Sequence, residues 1–374
     1  MKLGILSWIL DRRRTGIDNY LYSIVNEMIK EGNNEEISLI HFKKSDDEIY
    51  TKVNDVIIGS LPFNLINPIN LSKAVKETQI DVLHLPSHMM PQIGPFFVNS
   101  RVKKVLTIHD LIPILFHRNL PLFYKLWGPT LKFIKNRADY IITDSENTKN
   151  DCINHLKIPE DKIEVIPLAP DNHFKLIKNK DSIKEELKIK YGINTPFILY
   201  VGTVEIRKNI PLLIKSFYKL LNKGLEFKLV LIGIQGHGFN EIAAVIKKLG
   251  ISKEVISLGY VPLDDLIKFY NVADLFVFPS FYEGFGLPPL EAMACGCPVV
   301  TSNASSLPEV VGDAGVMVDP HDFHALTNAM YHILTNESLK NDLCNKSLNQ
   351  AKKFSWDKTA NETWKIYEKV LDMP

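Results

Sequence analysis

The sequence predicts an α/β protein made of two doubly wound parallel sheets, and three observations carry that prediction. Short apolar runs alternate with amphipathic stretches along the whole chain, the order expected when parallel strands are joined by helical crossovers. The runs are mostly apolar without alternation, as strands covered on both faces must be. The rhythm breaks once, between Ala169 and Lys190, where Pro170 leads into a polar, lysine-rich stretch, and then restarts. This places one domain over residues 1–170, a second over residues 171–354 and a terminal segment over residues 355–374, in a chain of 374 residues that has room for both.

In the first domain the strand runs are Lys2 to Ser7, Ile37 to Phe42, Asp81 to Leu85, Lys104 to Ile108, Tyr140 to Thr143 and Ile163 to Pro167. Gly16 follows the first of them and opens an amphipathic helix through Met28. In the second domain the runs are Phe197 to Val201, Lys228 to Ile232, Val255 to Leu258, Leu275 to Phe278 and Pro298 to Ser302. After the run at Leu275, Pro288 or Pro289 suits the first turn of a helix that reads Leu290-Glu291-Ala292-Met293-Ala294-Cys295 and stops at Gly296. The tail from Trp356 to Leu371 reads as one amphipathic helix with Trp356, Trp364, Tyr367 and Leu371 available for packing.

Composition excludes several classes. Lys and Arg total 44 against 43 Asp and Glu, a net charge of +1, which lacks the broad positive field of a nucleic-acid binder. The cysteines Cys152, Cys295, Cys297 and Cys344 are too few and scattered for a disulfide framework, and Cys295 and Cys297 form C-x-C, not a C-x-x-C pair. No apolar run approaches the roughly 18 residues of a bilayer span, and the basic cluster Arg12, Arg13, Arg14 follows the apolar start where a signal peptide would place it first. A reducing, cytoplasmic location is the expectation.

The densest motif runs from Glu283 through Gly284, Phe285, Gly286 and Leu287 to Glu291. Bare amides at a helix start attract anions, and glycine lets a phosphate approach the Gly284 to Leu287 backbone closely. Glu283 ahead of that nest and Glu291 behind it accept hydrogen bonds from hydroxyls, and two carboxylates around a phosphate-sized nest suggest a sugar nucleotide. The structural reading is that Glu291 compensates the helix dipole and Glu283 is a loop charge. Arg207 and Lys208 follow the run Phe197 to Val201; adjacent cations on such a loop can offset a diphosphate, Arg as a fork and Lys as a point charge, or remain solvated. Gly233, Gly236 and Gly238 follow the next strand and suggest a second loop beneath the nucleotide. No D-x-D triplet occurs, and no metal is assigned. His84 and His88 have Pro86 between them, which argues against the helix a metal pair needs. Gly16 is not part of G-x-G-x-x-G, so the dinucleotide fingerprint of a dehydrogenase is missing from its usual place.

Glu283 to Glu291 resembles the E-x7-E signature of retaining glycosyltransferases of the GT-B fold, and PSFYEGFGLPPLEAMACGCPVVTSNASSLPEVVGDAG resembles family 4 of those enzymes closely. VGTVEIRKNIPLL, LTIHDLIP and ADYIITDSENTKNDCINHLKIPEDKIEVIPLAPD are similar to family segments in the expected order, so the match covers most of the chain and points to bacterial mannosyl- or glucosyl-type transferases of polysaccharide assembly. The resemblance implies an N-terminal acceptor domain, a C-terminal nucleotide-sugar domain, both Rossmann-like and facing a central cleft, and a terminal helix that crosses back to the first domain. It implies that Glu291 holds the ribose, Glu283 the transferred sugar, and Arg207, Lys208 and the Phe285 to Leu287 backbone the diphosphate. It also implies that Gly202, Thr203 and Gly233 lie by the donor, that Gly16 approaches the donor phosphate, and that His109 faces the transferred sugar with Asp110 orienting it or capping the next turn. Many relatives carry Arg directly after the loop glycine, where this chain has Thr203, so the clamp leans on Arg207.

The function that follows is metal-independent, retaining transfer of a hexose from GDP-mannose or a UDP-hexose to a hydroxyl of a glycan or lipid-linked glycan, without a cofactor. The acceptor is expected near His88 and Asp110. The alternatives are a sugar-nucleotide epimerase or phosphorylase of the same architecture, or a non-catalytic binding subunit. From Arg101 to Arg137 the cations Arg101, Lys103, Lys104, Arg118, Lys125, Lys132, Lys135 and Arg137 oppose the single acid Asp110. Interleaved are Leu120, Leu122, Phe123, Leu126, Trp127, Leu131, Phe133 and Ile134, a mixture suited either to the interface of an anionic membrane or to an ordinary packed helix with a basic face.

Overall fold

A computed structural model describes residues 1–11, 16–61, 65–87, 94–99, 101–116 and 127–373. The chain divides into two compact units: Met1–Ala169 together with Ser355–Pro374, and Pro170–Phe354.

Among the described residues of the first unit, seven parallel strands form one sheet: β1 (Leu3–Leu6), β2 (Ile37–His41), β3 (Asn54–Ile57), β4 (Val82–Leu85), β5 (Lys103–Ile108), β6 (Tyr140–Thr143) and β7 (Ile163–Val165). Their spatial order is β3-β2-β1-β4-β5-β6-β7. The second unit's sheet contains β8 (Phe197–Val201), β9 (Lys228–Ile232), β10 (Val255–Gly259), β11 (Leu275–Phe278), β12 (Val299–Ser302) and β13 (Val316–Val318), in the order β10-β9-β8-β11-β12-β13. Each unit therefore winds outward in one direction from its first strand and then outward in the other. The point of reversal lies between β1 and β4 in one sheet and between β8 and β11 in the other, and in doubly wound sheets ligands bind beyond the carboxyl ends of the strands at that point.

The central strands β1, β2, β4, β6, β8, β11 and β12 are buried along their whole length, which accounts for their mostly apolar runs. β3 and β13, which the sequence reading does not contain, are margin strands. β3 has only one half-buried residue and β13 is three residues long, so neither carries an apolar run of recognisable length.

The last helix, Trp356–Leu371, is capped by Ser355, whose Oγ accepts the Lys358 N–H at 3.2 Å. It buries Trp356, Ile366, Tyr367 and Val370 against the Gly16–Lys30 helix and over β4, β5 and β6. The chain thus returns to the first unit after completing the second.

The basic segment 101–137 is only partly described. Arg118, Leu120, Leu122, Phe123, Lys125 and Leu126 lie outside the described residues, as does the side chain of Trp127. Where it is described, Leu131 and Ile134 in the Trp127–Ile134 helix are core residues, 0% and 2% exposed, as the packed-helix reading expects. Lys135 Nζ donates to the Leu156 carbonyl, and Lys104 Nζ donates to the carbonyls of Asn99 and Val102. No helix among the described residues is long and apolar enough to cross a membrane.

Candidate functional site

The second unit's crevice is built by loops that leave β8 and β11, the two strands flanking the reversal. β8 runs into Gly202, Thr203 and the short turn Ile206–Lys208, which ends on Asn209 in the left-handed conformation at φ 58°. β11 runs into the loop that carries Glu283. The Phe281 N–H donates to the Arg207 carbonyl at 3.2 Å, fastening the two loops together.

Their charged side chains meet. Lys208 Nζ lies 2.6 and 2.7 Å from the two carboxylate oxygens of Glu283. Arg207 donates to Glu205 Oε1 at 2.7 Å and to the Tyr282 carbonyl at 2.6 Å, and its Nη1 stands 3.9 Å from Glu283. Burial alone would raise the Glu283 pKa; the charges of Lys208 and Arg207 outweigh it and hold the carboxyl below its ordinary value. Burial also lowers the Lys208 ammonium, and Glu283 offsets only part of that. The four side chains sum to zero charge, so a diphosphate arriving here has to exchange partners with Glu205 and Glu283.

The backbone around the cluster is fitted for close approach. Gly233, after β9, has φ 142°, and a Cβ placed there would come within 2.0 Å of the Gly202 carbonyl oxygen, so the two loops touch through glycine. Gly286, at φ 123°, caps the Leu287–Ala294 helix, where a Cβ would meet Leu307 at 2.9 Å. Pro288 and Pro289 remove two of that helix's first donors, so an anion at its start relies on the Gly284 to Leu287 amides. Three serines that the sequence reading does not contain hold this loop in place. Ser305 Oγ accepts the Glu283 N–H at 2.8 Å, Ser306 Oγ donates to the carbonyls of Glu283 and Phe285, and Ser302 Oγ donates to the Ser280 carbonyl. Their signal was the hydroxyl-rich TSNASS stretch that ends β12 and continues past it.

Glu291 stands one turn into the helix and is half-buried. Its Oε2 accepts the Tyr270 hydroxyl at 2.9 Å, and burial pushes its pKa up to about 7 against that hydrogen bond. Thr203 adds no charge; its methyl group lies where a side chain on Gly236 would have to sit. Beside Gly233, whose N–H donates to the Gly259 carbonyl, Tyr260 and Ile234 are 57% and 62% exposed, an apolar face at the carboxyl ends of β9 and β10. Among the described residues, no group of three His, Cys, Asp or Glu is arranged to hold a metal ion.

In the first unit, Gly16 opens the Gly16–Lys30 helix, and no described atom comes within 4 Å of a Cβ built on it. The residues just before it, 12–15, and the acceptor candidate His88 lie outside the described residues. His109 directly follows β5, with its ring closed at both nitrogens, Nδ1 at 2.6 Å from Asp144 Oδ2 and Nε2 at 2.8 Å from the Pro86 carbonyl. Asp110 accepts the Ile112 N–H and secures the next turn, so the carboxylate bonded to the ring is that of Asp144, which the sequence reading does not name. His84 is no metal ligand either: Tyr367 and Thr107 occupy its two nitrogens.

Residues 183–353 match the family described as Glycosyl transferases group 1, and residues 14–172 match Glycosyltransferase Family 4. The chain belongs to these glycosyltransferases. It is 36% identical over 276 residues to the serotype-specific mannosyltransferase WbdA of Escherichia coli, a match covering 72% of this chain and 34% of that protein. The chain thus spans about one third of the length of the WbdA relatives. To the O-antigen chain mannosyltransferase B of the same species it is 29% identical over 378 residues, covering 95% of this chain and 96% of the relative. Among solved structures, HepE of Anabaena in complex with UDP and glucose superposes with a TM-score of 0.78 at 16% identity, over 98% of this chain and 99% of that one. This glycosyltransferase shares that two-domain GT-B fold.

Proposed function

We propose that this glycosyltransferase moves a hexose, mannose before glucose, from a nucleoside diphosphate to a hydroxyl of a glycan or lipid-linked glycan, with retention at the anomeric carbon. The observation that carries the reading is the Lys208–Glu283 pair, with Arg207 beside it, at the crevice of a doubly wound sheet whose neighbouring loops are glycine. The mannosyltransferase relatives favour mannose, and the UDP-bound neighbour keeps UDP-glucose in view.

In this reading Glu283, held ionised, accepts hydrogen bonds from the hydroxyls of the transferred sugar and cannot act as an acid. Lys208 and Arg207 turn to the diphosphate as Glu283 turns to the sugar. The bond from the anomeric carbon to phosphate oxygen breaks while the bond to the acceptor oxygen forms on the same face. The acceptor proton passes to the leaving phosphate, and the charge gathering there is met by the two cations and the Gly284 to Leu287 amides. Glu291 receives the ribose hydroxyls, and Tyr260 and Ile234 offer the base an apolar face.

A thermal-shift series with GDP, UDP and ADP tests the site, since a ligand at 100 times its dissociation constant stabilises the native state by about 2.7 kcal/mol. A shift with GDP or UDP that Glu291→Ala removes is expected. No shift with any nucleoside diphosphate would overturn the reading.

One surface favours a lipid-linked acceptor. Phe97 is 59% exposed and lies 6.2 Å from the Phe133 ring, which Arg137 covers at 3.8 Å, with Arg101 and Lys132 exposed nearby in sequence. An exposed aromatic beside cations suits the interface of an anionic bilayer. Sedimentation with anionic vesicles, lost in Phe97→Ser, is the expected result, and equal binding to neutral vesicles would remove the membrane from the account.

A further inference from the structure

Three adjacent strands meet at the His109 ring: β5 carries it, and its neighbours β4 and β6 each lead into one partner. Pairing of Ile108 with Thr143 in β5 and β6 sets His109 beside Asp144, and β4 on the other side runs out into Pro86. A carbonyl only accepts, so Nε2 carries a hydrogen for Pro86, which leaves Nδ1 and Asp144 Oδ2 with one proton between them at 2.6 Å. Asp144 is 2% exposed, and its other oxygen, Oδ1, has no hydrogen-bond partner among the described residues. A carboxylate so placed is uncompensated unless the ring bears the proton.

We propose that Asp144 is a positioning residue that holds His109 as an imidazolium with Nε2–H as its outward donor, so that the ring gives a hydrogen bond to a sugar hydroxyl in exchange for Pro86 and never acts as a base. The inference rests on the reading of His109 as part of the transfer site. Asp144 itself pulls the other way, since burial raises its carboxyl against the His109 charge and hydrogen bond, but the other groups facing the ring do not compete for the proton. Burial lowers the imidazole pKa, but the Asp144 charge and hydrogen bond, with Asp110 behind them, outweigh burial and leave it raised. His84 does not compete, because burial and the His109 charge push it down to about 3 and it stays neutral between Tyr367 and Thr107. Tyr20 meets the ring edge-on at 5.1 Å and hydrogen-bonds Thr107, and burial keeps its phenol protonated.

Nitrogen NMR of ring-labelled histidine in the full chain, with His109 assigned from His109→Gln, reads the proton directly. Both His109 nitrogens protonated at pH 7 in the unsubstituted chain, and a neutral ring in Asp144→Asn, are expected. A neutral His109 ring in the unsubstituted chain overturns the proposal, and that result does not depend on any variant folding. In turnover, Asp144→Asn is expected to lower kcat at least tenfold and to move the alkaline limb of the pH profile, leaving the GDP or UDP dissociation constant unchanged. A charged ring that Asp144→Asn discharges, alongside full transfer by His109→Gln, would retain the proton assignment and remove His109 from the reaction. An identical ring titration in both chains would overturn the role of Asp144.

Discussion

Lys208 and Glu283, 75 residues apart, are joined by two contacts of 2.6 and 2.7 Å across the reversal point of the second sheet. Their side chains are 12% and 11% exposed, so each is the other's main compensation for leaving water. Lys208→Ala or Glu283→Ala alone should destabilise the second unit by about 3–5 kcal/mol, whereas the double variant Lys208→Met, Glu283→Leu should recover much of that loss. Native-state hydrogen exchange at β8 and β11 measures it. Additive losses would show the pair to be uncoupled.

Gly233 and Gly250 both have positive φ but differ in surroundings. The first has the Gly202 carbonyl oxygen 2.0 Å from a built Cβ, and the second has nothing within 4 Å. Gly250→Ala should cost about 1–2 kcal/mol for its left-handed backbone alone. Gly233→Ala should cost clearly more and weaken nucleotide binding, because the obstructing atom is backbone and cannot rotate away. Equal melting temperatures for the two variants would contradict the contact.

Glu291, raised from 4.5 to about 7, should titrate on donor binding. Hydroxyls donate to the carboxylate, so affinity should rise with pH, by roughly tenfold between pH 6 and 8, with proton release near pH 7. For stability the sign is opposite. The folded state keeps a proton that the unfolded chain has lost between its ordinary pKa and 7, so this group's contribution falls as pH rises through that window. Calorimetry in buffers of different ionisation enthalpy measures the release; none near pH 7, or none lost in Glu291→Gln, would contradict the assignment.

Much of the fold was legible because strands covered on both faces must be apolar at every position, as in Leu275–Phe278 and Phe197–Val201. β3 and β13 were not: Asn54–Ile57 at the sheet margin faces water and keeps a half-polar composition, and Val316–Val318, though apolar, is only three residues long. Glu283 and Lys208 were each readable from local motifs, but their mutual neutralisation was not, because it depends on β8 and β11 being neighbours. Asp144 escaped for the same reason: its partner lies 35 residues back, and only the alignment of Ile108 with Thr143 connects them.

Transfer should proceed without a divalent ion. The chain contains no D-x-D triplet, and Arg207 and Lys208 supply fixed positive charge at the crevice. Full activity in excess chelator is expected. Loss of activity restored only by Mg²⁺ or Mn²⁺ would contradict it.

The central claim concerns the anomeric carbon. Incubating the purified chain with α-configured GDP-mannose or UDP-glucose and a lipid-linked glycan acceptor, then reading the new linkage by the one-bond carbon–hydrogen coupling in NMR, tests it most directly. The account predicts an α-linked product whose formation Glu283→Ala and Lys208→Ala both suppress at least tenfold; a β-linked product, or undiminished transfer by both variants, would contradict it.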